Sequence, residues 1–249
     1  MPPPAKSQSP NQLSLPGFAK KKRRGARPVG RPVGTGRRRV RHRLREAHAA
    51  PHPVHVVLRS KFKPLRSQFV FPTIRAALAA ATRRRADFRV AHFSVQGDHL
   101  HLLVEAETQS ALSRGMQGLA IRVARAVNKL VGRSGKVWAD RFFSRELSSP
   151  RAVRNALAYV LNNFRKHRVT AASLIDPYSS APYFAGFAEL RGRAPHQLPH
   201  SRALPLVPRG VPSPQAPNGV PILPARTWLG RTGWQRAGLI RFRDVCRTP

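Results

Sequence analysis

Two alternating runs near the middle of the chain, Phe88-Arg89-Val90-Ala91-His92-Phe93-Ser94-Val95 and His99-Leu100-His101-Leu102-Leu103-Val104-Glu105, stand on either side of Gly97-Asp98. Successive side chains on a strand point to opposite faces, so such runs set one apolar face on a core and leave the other to polar groups. A two-residue turn lets them pair back as a hairpin. That hairpin constrains everything around it, because two strands alone are marginally stable and must recruit further strands or helices.

The recruits are visible on both sides. Pro53-Val54-His55-Val56-Val57-Leu58-Arg59 is a β-branched run that reads as a strand. From about Pro72 to Arg85, Ile74, Ala77, Leu78 and Ala81 recur at helical spacing, with Pro72 in the first turn. After the hairpin, Leu112, Met116, Leu119, Val123, Ala126, Val127 and Leu130 mark the inner stripe of a helix from about Ser110 to Val131, with Arg114, Arg122, Arg125 and Lys129 outside. Val137 to Leu147 reads as a fourth strand. Ser149 as N-cap and Pro150 as first residue then open a last helix, buried through Val153, Ala156, Leu157, Val160, Leu161 and Phe164. The order predicts an α+β fold, a ferredoxin-like β-α-β-β-α-β core with an added C-terminal helix. The folded domain is expected over residues 51–176, after a basic arm (1–50) and before a Pro-rich, largely irregular tail (177–249).

Charge decides the partner. The 249 residues carry 46 Lys and Arg against 10 Asp and Glu, a formal charge of +36. Such an excess repels itself in a compact state and is relieved by a polyanion, so nucleic acid is the expected ligand. Between Lys20 and Arg45 there are thirteen basic residues and no acid, which predicts a disordered arm. Within it, Gly30-Arg31-Pro32 matches the centre of a minor-groove hook but lacks the full Arg-Gly-Arg-Pro core, making Arg31 a candidate DNA contact. Nine prolines between Pro195 and Pro224 predict an irregular tail, and Trp228 and Trp234 are expected to dock on the core or add DNA contacts. The opening residues lack the apolar stretch of a secretory signal and no run is long enough to span a bilayer, so no membrane partner and a cytoplasmic location are expected. Cys246, the single cysteine, allows no internal disulfide. Neither a Gly-x-Ser-x-Gly elbow nor a phosphate-binding P-loop occurs.

His99 and His101, two apart on a strand, share a face and can share one cation. In Ala158-Tyr159-Val160-Leu161-Asn162-Asn163, Tyr159 and Asn163 are four apart on a helix and point into one small site. Taken singly, each has a plainer reading: a half-exposed sheet face carries histidines, and an amphipathic helix carries a tyrosine beside its stripe. Together, on a chain this basic, they suggest metal-assisted attack of a phenol on a phosphodiester. A divalent ion neutralises a phosphate oxygen and polarises phosphorus. A phenol, ionising near pH ~10 in water, must lose its proton as it attacks, and nearby cations help. Arg141, Arg145 and Lys166 are the candidates for phosphate contact there, with Arg122 and Arg125 on the preceding helix as further nucleic-acid contacts.

The combination resembles the single-tyrosine HUH transposases, in particular the REP-associated tyrosine transposases of bacteria, over roughly Pro51 to His167. The matching residues are His99-Leu100-His101, Val137-Trp138-Ala139-Asp140-Arg141-Phe142 ahead of the last helix, and Ala158 to Asn163 within it. The resemblance implies that His99, His101 and Asn163 hold Mg²⁺ or Mn²⁺ and that Tyr159 is the nucleophile. It further implies cleavage and rejoining of single-stranded or hairpin DNA through a 5′-phosphotyrosine, hence DNA transposition and recombination close to the bacterial nucleoid, with a homodimer left open. Many relatives have proline after the asparagine, where this chain has Phe164. A non-catalytic nucleic-acid-binding regulator on the same scaffold is the alternative. A replication or conjugation nickase fits less well, with one tyrosine in the helix and no obvious helicase or primase segment.

Overall fold

The computed structural model describes residues 48–166, 175–190 and 222–244. The expectations for the basic arm, Arg31 and Cys246 concern residues outside these ranges, as does the side chain of Lys166.

Strands β1 (Val54–Arg59), β2 (Phe88–Val95), β3 (His99–Ala106) and β4 (Phe143–Glu146) form one antiparallel sheet in the order β2-β3-β1-β4. Helices α1 (Phe71–Arg83) and α2 (Gln109–Leu130) complete the ferredoxin-like unit, and α3 (Pro150–Lys166) follows β4. This is the arrangement that the alternating and helical periodicities predict.

Local chemistry sets the boundaries. Pro72 sits in the first turn of α1, where its missing N–H costs no bond. Thr108 caps α2 by accepting from the Ala111 N–H at 3.0 Å. Ser149 does the same for α3, accepting from the Ala152 N–H at 3.2 Å. The Gln96 N–H donates to the His99 carbonyl and closes the hairpin around Gly97-Asp98, although Gly97 is not among the glycines with positive φ.

Two apolar clusters lie against the sheet. Val54, Val56, Leu58, Leu100, Leu102 and Val104 face α1 and α2, whose Ile74, Leu78, Met116, Leu119 and Val123 fill the first. In β2 strict alternation would carry the chain out of phase, and the register slips between Val90 and His92. The extra residue turns Phe93 and Val95 to the same core as Phe88 and Val90.

The second cluster joins Leu103 and Leu147 to Val153, Ala156, Leu157 and Leu161 of α3, and to the segments beyond it. Trp234, Ile240 and Phe242 lie on that helix together with Phe184 and Phe187. The Asn162 side chain donates to the carbonyls of Arg241 (3.0 Å) and Asp244 (2.9 Å), Arg165 to Phe242 (3.0 Å) and Arg154 to Leu239 (3.0 Å). Arg66 grips the buried Asp176 with two bonds of 3.0 and 2.7 Å and donates to the Val95 carbonyl, tying the segment after α3 to β2. Trp234 is docked at 2% exposure, whereas Trp228 is 51% exposed beneath the Arg236 guanidinium.

The fourth strand is shorter than its sequence suggests. Trp138 Nε1 donates to the Ala120 carbonyl of α2 at 2.8 Å, and only an isolated bridge pairs Trp138 with Ser60. Regular pairing with β1 resumes at Phe143, opposite Val57.

Candidate active site

The face of the sheet turned away from α1 and α2 carries His99, His101, Leu103 and Glu105 from β3. Pairing sets Arg59 opposite His99, Val57 opposite His101 and His55 opposite Leu103. Imidazoles two apart on β3 and one on β1 therefore meet on a single surface, and α3 brings Tyr159 down on it. The Tyr159 ring stands edge-on to His101 with centroids 5.1 Å apart and to His55 at 5.9 Å. His99 and His101 are perpendicular at 4.6 Å, and His55 stacks on His101 at 5.4 Å. Of the residues expected to act together, His99, His101 and Tyr159 are in one cluster.

Each β3 imidazole is oriented through Nδ1. His99 Nδ1 lies 2.7 Å from Asp98 Oδ1, and Lys63 Nζ is 3.2 Å from the other carboxylate oxygen. The hydrogen bond from His99, reinforced by Lys63, holds the Asp98 carboxyl down at about 2. His101 Nδ1 lies 3.2 Å from His55 Nε2. Burial, with the Arg145 charge adding to it, lowers His55 to about 4, so the ring is neutral at physiological pH. A neutral His55 with its proton on Nδ1 accepts at Nε2 from the Nδ1–H of His101. In that tautomer Nε2 of His101 carries the lone pair, the arrangement that a partner at Nδ1 gives a metal-bound histidine.

Asn163 lies one helical turn beyond Tyr159 and is 2% exposed. Neither atom of its amide has a hydrogen-bond partner. A buried unsatisfied amide is costly and needs an explanation such as an ion. The neighbouring Asn162 is committed elsewhere, donating to the C-terminal segment. Among the described residues no group of three or more His, Cys, Asp or Glu side chains could hold a metal ion. Two imidazoles and an amide oxygen are a donor set of a different kind, and their chemistry suits Mn²⁺ and, with water completing the shell, Mg²⁺.

The family model described as "Transposase IS200 like" matches residues 49–163, from just before β1 through Asn163. Residues 49–163 are thus similar to the IS200-like transposases. No curated protein matches the chain. Among solved structures it resembles that of the REP-associated tyrosine transposase bound to a REP hairpin, at 17% identity over 55% of this chain and 81% of that one, with a TM-score of 0.45. A candidate transposase from Deinococcus radiodurans R1 aligns at 16% identity over 45% of this chain and 85% of that one, with a TM-score of 0.33.

The basic candidates are scattered about the described domain. Arg145 is exposed on β4, on the row of His55, and Arg141 is exposed in the loop before that strand. Arg122 and Arg125 belong to α2, on the opposite side of the sheet from the imidazoles, and the Nε of Arg122 is buried. They are not brought to the cluster. Asp98 is the member that sequence reasoning reads only as a turn residue, and His55, whose alternation with Val54 and Val56 sets it on the other face, is given no part in a metal site. Asp98 adjoins His99 in the turn, and His55 alternates with the core-facing Val54 and Val56, which sets it on the imidazole face once β1 pairs with β3. No helix among the described residues is long and apolar enough to cross a membrane.

Proposed function

We propose that this chain is a metal-dependent DNA transposase and strand transferase that cleaves and rejoins single-stranded or hairpin DNA through a 5′-phosphotyrosine on Tyr159. The observation that carries the reading is the contact of Tyr159 with His101, centroids 5.1 Å apart, on a helix that carries the buried, partnerless amide of Asn163 one turn further on. A divalent ion, Mg²⁺ or Mn²⁺, held by His99, His101 and Asn163 would neutralise one phosphate oxygen and polarise phosphorus.

The chain's own residues do the rest. Asp98 and His55 fix the two ligand imidazoles, so the donor atoms are set before DNA arrives. As the Tyr159 oxygen bonds to phosphorus, the bond from phosphorus to the 3′-oxygen breaks. The phenol gives up its proton to water and the departing oxygen takes one up, leaving a free 3′-hydroxyl and a phosphotyrosine that conserves the energy of the broken bond. Attack by another 3′-hydroxyl reverses the step and reseals the strand. Arg145, exposed on the row of His55, would hold a flanking phosphate, with Arg141, Lys166 and Arg31 as further contacts, while Arg122 and Arg125, on the other side of the sheet, would meet nucleic acid only away from the scissile bond. The imidazoles and the tyrosine belong to one chain, so the arrangement needs no second copy. The setting is DNA in the bacterial cytoplasm, in association with the nucleoid.

The test is a denaturing gel of the protein incubated with labelled single-stranded or hairpin oligonucleotide and Mn²⁺. A covalent adduct should form, vanish in EDTA and be absent from Tyr159→Phe, which should still bind DNA. An undiminished adduct in Tyr159→Phe overturns the nucleophile. Salt-sensitive binding without any adduct identifies a non-catalytic regulator instead.

A further inference from the structure

Helix α3 makes its main sheet contacts with β2 and β3. Toward the opposite edge the imidazole face opens: Val57 is half-buried, and Arg59, Phe143 and Arg145 are exposed. Phe143 is 65% exposed and, among the described residues, is the one large apolar side chain displayed to solvent from a strand. It stands in a defined place. Pairing sets Phe143 beside Val57 and Val57 beside His101, so the ring is two strands from His101, about 10 Å away at the usual strand spacing. Arg145 occupies the next row on the same strand, Arg59 pairs with His99, and Arg141 precedes the strand in the chain. None of these three arginines makes an ion pair among the described residues.

An exposed aromatic on an edge strand is an invitation to unwanted pairing, which proteins ordinarily blunt with charge. Here an aromatic face is combined with uncommitted guanidinium groups beside the cluster, which is the composition of a single-strand platform. Bases stack on the ring while cations follow the backbone. We propose that Phe143 stacks an unpaired DNA base flanking the phosphate that lies at His99 and His101, with Arg145 and Arg59 gripping the adjoining backbone. The ring selects unpaired over paired DNA, because a base within a duplex offers it no free face. The strand-transfer reading supplies only the position of the scissile phosphate, and the test can be run without chemistry.

Binding of a labelled short oligothymidine to the full-length protein is followed by fluorescence anisotropy in EDTA. Phe143→Ala should weaken binding by about tenfold, and Phe143→Trp should retain it. Phe143→Leu, which keeps an apolar side chain without a π-face, should resemble alanine. A duplex of matched length should respond to none of the three. In the wild type, 2-aminopurine placed beside the scissile position should be quenched on binding, and Phe143→Ala should relieve the quenching. Equal binding by Phe143→Leu and the wild type, or an equal loss on duplex, overturns the stacking role. A change of molecular mass on Phe143→Ala with unchanged oligonucleotide affinity also overturns it, assigning the ring to an interface between copies. Loss of the adduct in the gel assay leaves these outcomes standing, so failure of strand transfer and failure of stacking are separable.

Discussion

Adjacent asparagines on α3 should respond oppositely to the same substitution. Asn162 donates two hydrogen bonds, of 3.0 and 2.9 Å, to carbonyls of the C-terminal segment. Each is worth about 0.5–1.5 kcal/mol, so Asn162→Ala should lower the stability of the metal-free protein by about 1–3 kcal/mol. Asn163 is as deeply buried, but its amide has no partner to lose. Replacing it removes an unsatisfied polar group and leaves a small void, effects of opposite sign, and Asn163→Ala in EDTA should stay within about 1 kcal/mol of the wild type. With Mn²⁺ at one hundred times its dissociation constant the ranking should change. Binding to the native state alone adds about 2.7 kcal/mol to the wild type and to Asn162→Ala, while Asn163→Ala should gain much less. Urea unfolding followed by circular dichroism, with unchanged slope, measures all six states. The assignment of the two residues fails if Asn163→Ala is destabilised in EDTA as strongly as Asn162→Ala. It fails equally if all three proteins gain the same stability from Mn²⁺.

Three further outcomes follow from the packing and the charges. The folded-state value of His55, about 4, lies below its ordinary 6.5, so the unfolded chain takes up this proton first as pH falls. The stability involved is intact above 6.5 and is lost between 6.5 and about 4, amounting to ~3 kcal/mol at most. His55→Gln should flatten that part of the stability profile in EDTA, and an unchanged slope would contradict it. Within α2, a Cβ on Gly115 would lie 2.3 Å from Cγ of the buried Phe88, whereas one on Gly118 would meet nothing within 4 Å. Gly118→Ala should stabilise by about 0.5–1 kcal/mol, and Gly115→Ala should fall below it by the overpacking cost of about 1–3 kcal/mol, read as melting temperature. Trp234→Ala, emptying a site that is 2% exposed, should cost about 3–5 kcal/mol and open the 222–244 segment to limited proteolysis, with an unaltered cleavage pattern counting against that docking.

The sheet and its first two helices were legible because their periodicities are clean. Leu100, Leu102 and Val104 alternate, and Leu112, Met116, Leu119 and Val123 recur at helical steps. The bulge between Val90 and His92 was less visible, although the slip from Val90 to Phe93 and Val95 records it. What the sequence did not show is that the fourth strand begins late: ahead of it the Trp138 indole is claimed by the Ala120 carbonyl, eighteen residues away, and no local pattern announces that. For α3 a single apolar stripe was expected, yet every residue from Ala156 to Phe164 is buried. The clue was the lack of any charge between Arg154 and Arg165, the mark of a helix covered on more than one side. At the candidate site, spacing within an element predicted which side chains share a face. Spacing could not predict which elements face each other, so the meeting of Asp98 with His99 and of His55 with His101 emerged only with the turn and the pairing of β1 with β3.

The covering of α3 also has a temporal side. Trp234, Ile240 and Phe242 are synthesised long after Tyr159 has left the ribosome, and at about 5–20 residues per second the helix waits several seconds for them. During that interval one apolar side of the helix bearing the phenol has no lid. A nascent chain stalled before this stretch would therefore expose a sticky, half-finished centre, and the helix is clasped only once Trp234, Ile240 and Phe242 have emerged to cover it.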